Sequence, residues 1–219
     1  MSPPGPPAAG APPDLAAWEA WSPEEATRAL RDVRAPWHVA GGWALDLFLG
    51  RVTRAHGDLE VGVRGDRFPE VAAALDRAGL DLFVVGDGHA WPLADPGDDP
   101  RLRQHHQTWA RERSTGRWRL DVFREPSDGP DWLCRRDPRL RMPWDRLVLR
   151  TPDGIPHGRP EAVLLFKAKA ARPKDEADLA AVLPRLDPDA RRWLAAALAL
   201  VHPGHPWLAA VEPGSRAAP

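Results

Sequence analysis

The chain has 219 residues, 43% of them hydrophobic and 28% charged, which is enough apolar material for a folded core and excludes global disorder. Its formal net charge of −1 provides no general attraction to nucleic acid or to anionic membranes. A single cysteine, Cys134, excludes an internal disulfide and a cysteine-based zinc site. Since no segment approaches the roughly 20 apolar residues of a membrane helix, we expect a cytoplasmic protein without a membrane partner.

The first part of the chain predicts a tail followed by alternating helices and strands. Residues 1–14 are rich in Pro, Gly and Ala and predict a disordered tail. Ser22-Pro23-Glu24-Glu25 has the pattern of a capping box with proline at the first helical position, so a helix should run to about Val33. The elements predicted after it are strands at 36–40, 59–63 and 81–85 and helices at 43–49 and 68–80.

The second part predicts a hairpin, a loop-rich region and then helices. The predicted elements are a loop at 95–103, hairpin strands at 104–109 and 117–124, a loop-rich stretch at 126–143, a short strand at 147–150, and helices at 160–171, 175–183 and 188–201. Strands followed by helices favour an α+β fold. We expect a core at 15–150, a C-terminal helical subdomain at 151–208 and a flexible tail at 209–219.

A glycine pair, Gly41-Gly42, separates a predicted strand from a predicted helix. Glycine allows the backbone to approach a ligand closely, and a helix N-terminus offers unpaired N–H groups and the positive end of a dipole. This pattern is typical of a phosphate-binding loop. The alternative is an ordinary strand-to-helix turn, because short glycine motifs are weak evidence when they stand alone.

Three carboxylates are candidate metal ligands. Asp58 and Glu60 are two residues apart in a predicted strand, so they should share one face, where their mutual repulsion calls for a cation or solvent. Asp121 lies among apolar residues of a later predicted strand, which is unusual for an aspartate that is neither paired nor functional. Carboxylate oxygens suit Mg²⁺. A solvated strand face, or pairing of Asp121 with an arginine, remains the alternative.

The stretch from Gly41 to Glu60 opens with Gly-Gly-Trp-Ala and runs through Gly-Arg-Val-Thr-Arg-Ala-His to the acidic pair. It resembles the signature of the nucleotidyltransferase superfamily, and within it the aminoglycoside 2''-adenylyltransferase group. A Leu-Asp-Val strand around Asp121 resembles the position of the family's third carboxylate. The resemblance extends over residues 30–205 and implies the nucleotidyltransferase fold, a mixed β-sheet flanked by helices with a C-terminal helical part.

The resemblance also implies a mechanism. Asp58 and Glu60 would hold Mg²⁺, and the Gly41-Gly42 loop would hold the triphosphate of an NTP, with ATP as the expected donor. Asp121 would act as general base toward an acceptor hydroxyl or complete the metal site. The second carboxylate of the family is usually Asp. Because Mg²⁺ takes its ligands at about 2.1 Å, the longer Glu60 should either coordinate after a small backbone shift or weaken the metal site.

Further residues are candidates for binding. Arg54 could contact phosphate bidentately, and Thr53 and His56 could contact the substrate or support Asp58. Lysine is restricted to three positions, and we favour Lys169 and Lys174 as partners of the triphosphate. For each of these residues the structural alternative, a solvated or packed surface residue, stays open.

Three functions are compatible with this pattern. The first is transfer of a nucleoside monophosphate to a small-molecule hydroxyl, in an aminoglycoside-like acceptor that acidic loops at 95–99 and 128–131 would attract. The second is a toxin-like or regulatory nucleotidyltransferase acting on tRNA or protein. For this function the overall charge makes a nucleic-acid partner unlikely, although an arginine cluster at 135–141 keeps it possible. The third is a nucleotide-binding protein with weakened catalysis. An acidic cleft would favour the first, and a basic cleft mouth the second.

Overall fold

The structure is a computed structural model that describes residues 13–211. The predicted terminal tails lie largely outside this range. Within it the helices are α1 (Pro23–Ala29), α2 (Gly41–Leu49), α3 (Phe68–Arg77), α4 (Arg101–Gln104), α5 (Trp144–Leu147), α6 (Pro160–Lys167), α7 (Pro173–Val182), α8 (Pro188–Val201) and α9 (Trp207–Val211). No helix in this part of the chain combines the length and the apolar character needed to cross a bilayer.

The strands form two sheets. They are β1 (Trp37–Val39), β2 (Glu60–Arg64), β3 (Leu80–Gly86), β4 (His89–Pro92), β5 (Gln107–Glu112), β6 (Trp118–Glu125), β7 (Ser127–Asp128), β8 (Asp131–Leu133), β9 (Arg141–Pro143), β10 (Val148–Arg150) and β11 (Pro156–Gly158). The large sheet has the order β10-β11-β1-β2-β6-β5-β3-β4, in which β1–β11 and β2–β6 are parallel pairs. A small sheet, β7-β8-β9, occupies the stretch predicted to be loop-rich. The mixed sheet with flanking helices confirms the α+β prediction.

Local signals explain several helix ends. Ser22 and Glu25 form the predicted capping box, in which the Ser22 hydroxyl accepts from the Glu25 N–H and the Glu25 carboxylate accepts from the Ser22 N–H. Helix α1 nevertheless ends at Ala29 rather than near Val33, because Leu30 leaves the helical conformation and is fully buried in the core. Gly50 adopts a left-handed conformation, φ +70°, and ends α2 as predicted.

Each face of the large sheet has its own partner. Alternate residues of β2 and β6, such as Val61 and Val122, pack with α1 and α3 into one hydrophobic cluster. The opposite face carries Glu60, Asp121 and Phe123, because neighbouring residues of a strand point to opposite sides. Helix α2 packs with α6 and α8 into a second cluster. The helical part therefore lies beside the sheet face that carries the predicted carboxylates.

Candidate active site

Two of the three predicted carboxylates are direct neighbours across strands. Glu60 of β2 and Asp121 of β6 are register partners in a parallel pair, which places both side chains on the same face. Asp58 precedes β2 and is exposed, so it is not part of the strand as predicted. It nevertheless lies close enough to Glu60 to raise the pKa of that carboxyl. The sheet thus brings Glu60 and Asp121 together, and the loop before β2 adds Asp58.

The electrostatics of this group suit a cation. Burial, and secondarily the neighbouring Glu60 carboxylate, raises the pKa of Asp121 well above its ordinary value, while a hydrogen bond from Gln107 acts in the opposite direction. One Asp121 oxygen accepts from the Gln107 side-chain amide at 2.5 Å, whereas Oδ1 is buried without a partner. A divalent cation would satisfy this oxygen and relieve the repulsion. Within residues 13–211, no three His, Cys, Asp or Glu side chains are already arranged as a metal site, so Asp58 would have to turn toward the others.

The glycine pair lies directly against side chains. Gly41 has φ +58°, and a Cβ there would lie 1.5 Å from Oε2 of Glu60. A Cβ on Gly42 would lie 2.2 Å from Nη2 of Arg54 and 2.8 Å from Cε1 of His56. Helix α2 begins at Gly41, and its N-cap Ala40 provides no side-chain hydrogen bond. The first N–H groups of α2 thus lack a side-chain cap beside Glu60, as a phosphate site requires.

A partly buried hydrogen-bond network, here called the latch, fixes the loop that leads to Asp58. The carboxylate of Asp46 on α2 accepts from the Thr53 hydroxyl at 2.5 Å and binds His56 Nε2 at 2.7 Å. His56 also stacks on Trp43, with ring centroids 4.4 Å apart. Arg54 binds both oxygens of Asp178 on α7, each at 3.3 Å. Thr53, Arg54 and His56 therefore connect α2 to α7, and the latch was not predicted from the sequence.

Arg54 already has partners within the protein. Its guanidinium pairs with Asp178 and donates to the Ala55 carbonyl at 3.2 Å, while Nη2 lies against Gly42, so its contact with phosphate stays a prediction. Asp178 in turn accepts from Lys167 at 2.9 Å, and Lys167 also binds Asp175 at 3.0 Å. The ion pairs continue from the loop before Asp58 into the end of α6.

A cavity of about 680 Å³ opens over the sheet face that carries Glu60. The cavity runs between the large sheet, the small sheet and the end of α6. Among the predicted residues, Gly41, Glu60 and Lys169 line it. Lys174 lies near Glu60, since its charge opposes the rise in the pKa of Glu60. Arg135 and Arg136 of the predicted arginine cluster also line the cavity, as do His38, Lys167 and Arg172, which the sequence did not single out.

The predicted acidic loops do not belong to this cavity. Neither the 95–99 loop nor the 128–131 loop lines it. Asp99 pairs with Arg101, and Asp128 pairs with Arg141. The lining instead carries more basic than acidic side chains. The expectation of an acidic cleft was therefore wrong, because it relied on closeness in sequence to the strand ends and not on the topology.

Sequence comparison identifies relatives of the N-terminal part. The family described as aminoglycoside-2''-adenylyltransferase matches residues 24–86. A 2''-aminoglycoside nucleotidyltransferase from Escherichia coli is 43% identical over 44 residues, which cover 20% of this chain and 25% of that protein. A protein of the same description from Klebsiella pneumoniae gives the same values. The aligned segment thus spans a quarter of the length of these curated relatives.

Structural comparison covers more of the chain. The solution structure of the antibiotic-resistance factor ANT(2'')-Ia matches with a TM-score of 0.53 at 17% identity, covering 80% of this chain and 88% of that one. Lincomycin-bound LnuA, a lincosamide antibiotic adenylyltransferase, matches with a TM-score of 0.50 at 16% identity, covering 73% and 92%. At this identity the likeness establishes the fold. The chain therefore has the nucleotidyltransferase fold, and the motif between Gly41 and Glu60 lies in a segment that matches the aminoglycoside-2''-adenylyltransferase family.

Proposed function

We propose that this protein is a Mg²⁺-dependent nucleotidyltransferase that moves a nucleoside monophosphate from an NTP to a hydroxyl of a small molecule. The observation that carries this proposal is the pair Glu60–Asp121, of which Glu60 lies against Gly41 at the N-terminus of α2 and lines the cavity, while Asp121 is buried beside it. Carboxylates next to a helix N-terminus combine the two features that phosphoryl transfer needs, a metal site and a phosphate site.

The carboxylates would divide the chemistry between them. Asp58 and Glu60 would hold Mg²⁺, which neutralises negative charge on the phosphates when bound, and Asp121 would either complete the metal site or act as the general base. Asp121 is buried and its pKa is raised, so it is a stronger base than an exposed aspartate. It would take the proton of the acceptor hydroxyl while that oxygen bonds to the α-phosphorus. The bond from the α-phosphorus to the bridging oxygen then breaks and pyrophosphate leaves.

Basic residues near Glu60 would bind the triphosphate. Burial raises the pKa of Glu60, and the charges of Lys167, Lys174 and Arg135 oppose this rise. The pKa of Arg172 is raised chiefly by its hydrogen bond with Asp175 and to a smaller extent by Glu60 and Asp58. Lys167 is held by two carboxylates, whereas Lys174 is exposed and has no ion pair within the described range. We therefore assign Lys174 as the mobile phosphate ligand and Lys167 as a fixed one. ATP is the donor to test first.

Thermal melting tests the nucleotide half of the proposal. Melting is followed with ATP, GTP, CTP or UTP, with and without Mg²⁺, for the wild type, Asp58→Asn and the control Asp189→Asn. Asp189 is an exposed residue of α8. A nucleotide at about 100 times its Kd adds about 2.7 kcal/mol of stability. A Mg²⁺-dependent shift that Asp58→Asn alone loses supports the site. The absence of any shift for the wild type contradicts it.

The second candidate is modification of tRNA or protein. It is favoured by Arg135 and Arg136, which line the cavity. However, Arg135 pairs with Glu125, Arg139 with Asp137 and Arg141 with Asp128, so Arg136 is the one arginine of the cluster without a carboxylate partner in the described part of the chain. The third candidate, a binding protein with weakened catalysis, would show the melting shift but release no pyrophosphate. The names of the relatives make hydroxylated antibiotics the first acceptors to screen.

A further inference from the structure

The cations around the cavity form two separate groups. The first group lies near Glu60 and consists of Lys167, Arg172 and Lys174. The second group is Arg135, Arg136 and Lys169, and the structure gives it a different environment. The charge of Lys169 helps to lower the pKa values of His106 and His202, and it is not one of the main influences on the pKa of Glu60. Arg136 binds His202 at 3.1 Å, so it belongs with Lys169. The charge of Arg135 also acts on Glu60, so Arg135 lies between the two groups, and Arg136 and Lys169 mark the part of the cavity away from Glu60.

The second group is built around two aromatic rings. The guanidinium of Arg135 lies 4.9 Å from the ring of Phe123 and 5.0 Å from the ring of Phe166. Arg136 also lies over Phe166, at 5.1 Å, and donates to the Phe166 carbonyl at 2.7 Å. These contacts hold both guanidinium groups in place and leave apolar ring surface beside them. The result is a rigid surface that combines positive charge with aromatic groups.

Few carboxylates are left to balance this charge. Glu125 is buried and accepts from Trp132 and Arg135, each at 3.2 Å. In the described part of the chain, Arg136 and Lys169 have no carboxylate partner. The pKa of His106 reflects the same excess of positive charge. Burial, followed by nearby cations including Arg135 and Lys169, lowers its pKa to about 4. No acidic side chain lining this end of the cavity remains available for an ammonium group.

We propose that this surface binds the acceptor through an anionic group, a phosphate or a carboxylate, while the apolar part of the acceptor lies against Phe123 and Phe166. The acceptor is then a hydroxylated small molecule with a negative charge and not a polycation. The inference rests on the proposed function, because it assigns the second substrate of the same site. A polycationic antibiotic would have to displace or repel Arg136 and Lys169 in a partly desolvated space.

The test varies charge on one hydroxylated ring. Glucose, glucose 6-phosphate, glucuronate and glucosamine are titrated by calorimetry against the protein, with and without Mg²⁺ and a non-hydrolysable ATP analogue. One charge-assisted hydrogen bond accounts for at least about a tenfold difference in Kd. We expect the two anionic sugars to bind at least about tenfold more tightly than glucose, and glucosamine to bind most weakly.

Two lysine variants provide the matched comparison. Lys169→Glu should remove the preference for anionic sugars and leave the affinity for the ATP analogue within about twofold of wild type. Lys174→Glu should weaken binding of the ATP analogue and leave the preference for anionic sugars unchanged. Both lysines are exposed, so neither change should prevent folding.

Several results would overturn the proposal. They are equal or tighter binding of glucosamine or an aminoglycoside, a preference for anions that survives Lys169→Glu, and no binding by any of the four sugars. Tight, salt-sensitive binding of a short RNA hairpin would favour a nucleic-acid acceptor instead. If the protein prefers anionic sugars but binds no nucleotide, the assignment of this surface stands and the proposed function is wrong. If it binds nucleotide but shows no preference for anionic sugars, the proposed function stands and the assignment of this surface is wrong.

Discussion

The contact between Gly41 and Glu60 can be tested with a single methyl group. In Gly41→Ala, the backbone at φ +58° costs about 1–2 kcal/mol for any residue with a Cβ. The new Cβ would also lie 1.5 Å from Oε2 of Glu60, so the carboxylate must move. Because that oxygen is the far end of a flexible side chain, its movement costs little stability. It does, however, separate Glu60 from Asp121 and from the glycine loop.

Gly50→Ala is the matched control. Gly50 has φ +70°, and nothing lies within 4 Å of a Cβ built there. Urea unfolding should show a loss of about 1–2 kcal/mol for both variants. Melting with ATP and Mg²⁺ should show that Gly41→Ala alone loses the nucleotide-dependent shift. Equal behaviour of the two variants in both assays would refute the reasoning.

A double variant identifies the cause of the loss. Glu60→Asp shortens the side chain by one methylene, so Gly41→Ala combined with Glu60→Asp should recover part of the shift if displacement of the carboxylate is responsible. No recovery would mean that the methyl group blocks the approach of the phosphate itself. The nucleotide-dependent melting shift of the double variant, compared with that of Gly41→Ala, distinguishes the two explanations.

Three further predictions concern buried charges. Asp178→Asn removes the carboxylate that Arg54 and Lys167 share and should cost about 2–3 kcal/mol in urea unfolding, whereas Asp189→Asn on the surface should change little. The stability contributed by a buried carboxyl with a raised pKa is lost as pH rises through its folded pKa. In urea unfolding without Mg²⁺, Asp121→Asn should therefore gain stability relative to wild type as pH rises from about 4 to about 8. With Mg²⁺ and ATP present, the same variant should release no pyrophosphate. Burial lowers the pKa of His38 to about 3, so this residue stays neutral in the folded protein. Because the unfolded state is protonated first, the free energy of unfolding should fall by about 2 kcal/mol as pH falls from 8 to 5. His38→Gln should lack this loss, and a parallel pH profile of the two proteins would contradict the assignment.

The parts of the fold that local patterns determine were predicted well. The capping box at Ser22, the helical stop at Gly50 and the helix at 188–201 all depend on residues within a few positions of one another. The helix start at Gly41 was found for the same reason, whereas Asp58 lies before β2 and not in the strand that period two assumed. The pairing of β1 with β2 brings Gly41 and Glu60 side by side, and the family resemblance, not the local pattern, predicted a shared site.

The parts that depend on distant contacts were not predicted. Strand β11 has three residues, includes Pro156 and Gly158, and exists because it pairs with β1 and β10. The role of Arg54 was assigned from its place in the motif, but its partner Asp178 lies in the C-terminal helices. Nothing in the sequence between the two indicates this pairing. The tertiary context therefore decided which arginine would pair with a distant carboxylate and which, like Arg136, would line the cavity.

The latch has a consequence for how the protein is made. A chain leaves the ribosome from its N-terminus, so Arg54 is synthesised 124 residues before its partner Asp178. Strand β1 likewise is synthesised well before its partner β11. The segment with the glycine pair and the carboxylates therefore leaves the ribosome before the residues that pair with it. A nascent chain that stalls before α7 would contain the whole family motif but would lack the carboxylate that anchors the loop before Asp58.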